Sequence, residues 1–208
     1  MAASLLISKT GCQSNCGQPS RPGQGHDVRK KIIGYYESWR GSGAPCGTMA
    51  PEAIPVEALD QLNLAFVYID PATFKIIDMD GPVAANLYQR VANTKKRNPN
   101  LKVWISVGGW TFNDAGPYQS VFGNIAKDVH SSEVFAQNII DFMNQFGFDG
   151  ADLDWEYPGA DDRGGHSEDV QNYPRMLSII QKRFKSGNSS GKKYGLSITA
   201  PTSYWYLR

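Results

Sequence analysis

Apolar residues recur along this chain at two periods, one suited to strands and one to helices. Leu62–Ile69 and Leu101–Val107 are short, nearly continuous apolar runs, the pattern of parallel strands covered on both faces. Lys31–Tyr36 is a further β-rich run that ends in aromatics, and Phe148–Asp154 and Tyr194–Ala200 complete five predicted strands. Helical spacing lies between them. Ser132–Phe146 puts Phe135, Ile139, Phe142, Met143 and Phe146 on one stripe and stops at Gly147. A helix over Ala84–Arg97 is ended by Asn98-Pro99. Tyr173, Leu177, Ile180 and Phe184 mark another, followed by a polar turn over Gly187–Lys193. Strands alternating with helices predict a parallel sheet, either open and doubly wound or part of a (β/α)8 barrel. No Gly-x-Gly-x-x-Gly follows the first strand, which removes the main support for a dinucleotide fold. Candidate chemistry instead gathers where strands end, at Tyr36, Trp110 and Glu156, as in barrel enzymes.

Residues 1–29 have no such pattern. Gly11–Gly25 is rich in Gly, Gln, Ser and Pro and predicts a linker without a core. Leu5-Leu6-Ile7 is far shorter than the ~7–15 apolar residues of a secretion signal, so either the protein is not exported or its true start lies upstream of Met1, and the second is the expectation. The 208 residues carry 21 Lys and Arg against 20 Asp and Glu, a net charge of +1 that makes no case for nucleic acid or a membrane surface. No apolar run approaches the ~20 residues of a membrane span. Three scattered histidines and three cysteines without zinc spacing predict no metal site, and no other cofactor motif is present.

The densest chemistry lies in Phe148–Pro158, which carries four acids on one predicted strand. Side chains alternate along a strand, so Asp152, Asp154 and Glu156 share a face while Leu153 and Trp155 take the other. Three carboxyls in a row repel and drive protons onto some members. That arrangement suits a carboxylic acid kept protonated near neutral pH. Asp149 has the opposite parity and is expected to brace the strand. An acidic calcium loop is the competing reading, disfavoured by Trp155, Tyr157 and the preceding apolar helix.

Asp149-Gly150-Ala151-Asp152-Leu153-Asp154-Trp155-Glu156 resembles the Asp-Gly-x-Asp-x-Asp-x-Glu signature of the glycoside hydrolase family 18 chitinases. Ser106-Val107-Gly108-Gly109-Trp110 is similar to that family's Ser-x-Gly-Gly strand end, and the resemblance covers Lys30–Arg208. It implies a (β/α)8 TIM barrel, incomplete here with about five of eight strands. It also implies a secreted chitinase, a monomer in its full-length form, acting on chitin or N-acetylglucosamine oligosaccharides with retention and substrate assistance. Catalytic roles would fall to Glu156, Asp154 and Asp152. Trp110, Gly109, Tyr35, Phe66 and Tyr157 would line the sugar site, with Trp110 as the stacking platform. Gly11-Cys12-Gln13-Ser14-Asn15-Cys16-Gly17 resembles the end of a hevein-type chitin-binding module, so 1–29 is expected to be a remnant of that module plus a linker, and 30–208 the start of the barrel. Cys46 is then the odd cysteine. The family's Met-x-Tyr pair on a sixth strand and tryptophan on an eighth have no counterpart, so the chain is expected to be a poorly active fragment. A chitin-binding lectin and an endo-β-N-acetylglucosaminidase are the alternative functions.

Overall fold

The two most apolar runs pair at the centre of a parallel sheet. A computed structural model describes residues 31–41, 49–79, 86–187 and 191–207. The hevein-like stretch with Cys12 and Cys16, and also Cys46, lie outside the described residues. The strands are β1 (Ile33–Glu37), β2 (Gln61–Ile69), β3 (Ile76–Asp78), β4 (Lys102–Gly108), β5 (Gly150–Asp154) and β6 (Gly195–Ile198). Their order is β1-β2-β4-β5-β6, all parallel, with β3 antiparallel against the end of β2. Among the described residues β1 and β6 are the edges.

Helices α1 (Leu87–Ala92), α2 (Val121–Ala126), α3 (Val129–Phe146), α4 (Asp169–Ser186) and α5 (Tyr204–Leu207) complete the order. Leu62 and Leu64, Val103 and Ile105, and Ala151 and Leu153 stand in register on one sheet face. These residues are buried in one core with Phe135, Ile139 and Met143 of α3 and Met176, Ile180 and Phe184 of α4. The alternate positions therefore point to the other face, and there the polar residues collect.

The five predicted parallel strands are present, with moved boundaries. Phe148 falls outside β5 because its N–H still bonds Met143 O, 3.0 Å away, as α3 closes at left-handed Gly147. The predicted 84–97 helix is a six-residue α1 followed by 3-10 turns over Asn93–Lys96; residues 80–85 are not described. Phe142 and Phe146 leave the core stripe and pack on Tyr88, with ring centroids 5.0 and 5.1 Å away. Three elements carried too few residues for a periodic signal: β3, α2 and α5.

Candidate active site

The second face of the sheet presents one polar row across five strands. Asp152 of β5 is 2 % exposed and accepts hydrogen bonds from four of its neighbours. Tyr35 Oη (β1) lies 2.8 Å from Asp152 Oδ2, Asn63 Nδ2 (β2) 3.3 Å and Ser106 Oγ (β4) 3.1 Å. Ser197 Oγ (β6) donates to Asp152 Oδ1. Asp154 lies one step further along, with Thr199 Oγ1 donating to its Oδ1. Glu156 lies beyond the last residue of β5, so the expected third strand position is a bend that carries its carboxyl to the rim.

The electrostatics follow from this depth. Burial, and next the charge of Glu156, pushes Asp154 up to about 7, against the pull of the Thr199 hydroxyl. Burial also raises Glu156, opposed by the positive charge of Arg163 and by hydrogen bonding with Asp154. Two such carboxyls titrate as a pair that retains a proton near neutrality. Glu156 Oε2 is buried with no hydrogen-bond partner among the described residues. A proton on that oxygen has no acceptor among the described residues.

The glycine pair brings β4 close to both neighbours. Gly108 and Gly109 have φ of 106° and 90°, which side chains rarely adopt. A Cβ on Gly108 would stand 2.5 Å from Asp154 O, and one on Gly109 2.8 Å from the Phe66 ring. Gly109 N–H donates to Asp154 O over 3.0 Å, and Asn113 Nδ2 bonds both Gly109 O and Asp154 O. A register shift in β2 between Leu64 and Val67 puts Phe66 beside the pair, where it stacks on Trp39. Trp110 projects from the pair, 52 % exposed. Tyr157 follows the acid and packs on Tyr206, ring centroids 4.3 Å apart.

The eight site residues proposed from the sequence lie on or just after β1, β2, β4 and β5. Sequence reasoning missed Asn63, Asn113, Arg163, Ser197 and Thr199. A signal existed for three of them: Asn63 interrupts an apolar run, and Ser197 and Thr199 alternate on the last strand. Asn113 and Arg163 sit in irregular segments that have no period to read.

Comparison with known proteins places this geometry. The family model described as "Glycosyl hydrolases family 18" matches residues 31–208. The chain is similar to chitinase A1 of Niallia circulans, 41% identical over 138 residues, 64% of this chain and 19% of that protein. It is also similar to the killer toxin subunits alpha/beta of Kluyveromyces lactis, 35% identical over 202 residues, covering 95% of this chain and 16% of that protein. Among solved structures, a mutant catalytic domain 2 of the Ostrinia furnacalis group II chitinase, in complex with (NAG)5, superposes with a TM-score of 0.74 at 26% identity. That match covers 85% of this chain and 45% of the Ostrinia chain. The architecture is the (β/α)8 barrel, of which the described residues form an open arc. The chain spans less than half the length of each of these relatives.

Proposed function

The chain belongs to the glycosyl hydrolases family 18, and on that premise we propose that it carries the proton-transfer side of a chitin-cleaving site. The substrate is a β-1,4-linked N-acetylglucosamine polymer or oligomer, and the reaction is hydrolysis with retained configuration. Glu156 gives its proton to the glycosidic oxygen as the bond to the anomeric carbon breaks. The carbonyl oxygen of the sugar's own N-acetyl group attacks that carbon and forms an oxazolinium ion, so no second carboxylate nucleophile is needed. Asp154 orients the acetamido group and balances its positive charge. Glu156, now ionised, takes a proton from the water that opens the ring. Asp152, fixed by hydrogen bonds from Tyr35, Asn63, Ser106 and Ser197, places a negative charge behind Asp154. Trp110, Phe66, Tyr35 and Tyr157 offer apolar surface to sugar rings. Because this substrate lies in extracellular walls and matrices, the proposed place of action is outside the cell.

One observation carries this reading: the only Glu in the row has a raised pKa and a buried oxygen, Oε2, with no partner among the described residues. The test is hydrolysis of chitin oligomers by the parent and by Glu156→Gln, with binding measured in parallel. Loss of at least about 100-fold in turnover with binding retained is expected. Oligomer binding without Glu156-dependent turnover in the parent would instead identify a lectin. Cleavage of high-mannose glycans in preference to chitin oligomers would identify an endo-β-N-acetylglucosaminidase.

A further inference from the structure

Arg163 is placed so that one guanidinium holds both the acid and the platform. It ends a 3-10 turn over Asp161–Arg163, and its side chain is 11% exposed. Its Nε donates to Glu156 O over 3.1 Å, and one terminal nitrogen donates to Trp110 O over 2.8 Å. The other terminal nitrogen pairs with Asp114 Oδ1 at 2.7 Å. The guanidinium carbon lies 3.8 Å from the centre of the Trp110 ring. One indole face is therefore covered by a cation, while the residue as a whole stays 52 % exposed. The loop bearing Arg163 is held in turn, because Tyr206 Oη donates to Asp162 Oδ2 at 2.8 Å while its ring packs on Tyr157.

We propose that Arg163 is a positioning residue that sets the angle and register of the Trp110 platform relative to Glu156. This rests on the reading of the site as chitin-cleaving. A planar fork is needed, since three acceptors and one ring face are engaged together. Without it the indole can turn about its side-chain torsions. A sugar stacked on it then loses its fixed distance from the proton donor. The guanidinium also leaves only one stacking face, so the substrate chain can cross Trp110 on one side.

The test separates the fork from the charge. Arg163→Met keeps the length and removes both, whereas Arg163→Lys keeps the charge alone. For oligomers long enough to reach Trp110, Arg163→Met is expected to raise KM about fivefold while kcat changes less than about twofold. Arg163→Lys is expected to give a similar KM rise. Its pH–rate limb for Glu156 should stay with the parent, while that of Arg163→Met moves to higher pH, because the lost cation had been lowering Glu156. In a Trp110→Ala background Arg163→Met should add almost nothing to KM. An equal KM factor in both backgrounds, or an unchanged KM, overturns the proposal. A readout free of substrate is the 19F signal of 5-fluorotryptophan at position 110, which should shift or broaden in Arg163→Met. An unaltered signal rejects the clamp whatever the hydrolysis result. An altered signal in a protein that neither binds nor cleaves chitin oligomers keeps the clamp as structure and rejects both the chitin-cleaving reading and the role in catalysis that depends on it.

Discussion

Asp154 is a buried carboxyl whose described partners include a hydroxyl and two other acids but no cation. Its folded pKa of about 7 lies well above the ~3.9 of an unfolded aspartate. Between these values the folded chain binds more protons than the unfolded one, so stability falls as pH rises from about 4 to 7. The elevated Glu156 acts in the same direction. Asn at position 154 imitates the protonated form and removes this liability. Urea unfolding of Asp154→Asn and the parent should therefore match near pH 4 and diverge toward pH 7. The variant should become the more stable by about 4 kcal/mol at pH 7. Curves that stay parallel across that range would show that the carboxyl ionises freely. Such a cost is tolerable at a proton-transfer site, since the same burial holds the proton that the proposed reaction spends. The acid row itself was legible from strand parity, because alternation depends only on local backbone geometry. Its hydroxyl partners were not, because nothing local links β5 to Ser197 and Thr199.

At the scale of elements, the opposite end of β5 is built from full charges. Asp149 accepts from Lys95 Nζ at 3.0 Å and from Val103 N at 3.0 Å, and pairs with Lys192 Nζ at 3.1 Å. Burial raises this carboxyl, yet the Val103 N–H and the two lysines hold it below its ordinary value. Lys95 also reaches Gly147 O and Lys192 reaches Phe148 O, so one acid ties the entry of β5 to α3, β4 and the chain before β6. Asp149→Asn should cost about 2 kcal/mol at neutral pH. A depressed pKa gives stability that is present above the unfolded value and lost as pH falls through the folded one. The penalty of the variant should accordingly shrink below about pH 4; a penalty constant down to pH 2 would assign it to packing instead. The bracing role followed from parity alone. The lysines that perform it did not, since both reach Asp149 from segments distant in the chain, and the short β3 and α2 escaped because they hold too few residues for a period.

For the whole molecule, burial divides the sheet. Every residue of β5 is buried, as are all but Phe66 in β2, whereas β6 is half-buried and its Ile198 is exposed. Amide exchange should follow that division, with Val103, Ile105 and Leu153 opening only on global unfolding and Leu196 and Ile198 exchanging orders of magnitude faster. Uniform protection across all five parallel strands would contradict it. No described helix is long and apolar enough to cross a membrane. The sequence by itself determined the alternation of strands and helices, the shared face of Asp152 and Asp154, and the glycine pair that lets β4 approach Asp154. Each of these depends on spacing within a few residues, which backbone periodicity converts directly into direction. Only the tertiary structure decided who meets Asp152, since Tyr35 and Asn63 reach it from 117 and 89 residues away. It also decided that Arg163 would lie over Trp110. Those contacts arise when separate strands and loops are brought to one end of a common sheet, and no local period records which distant residue will arrive.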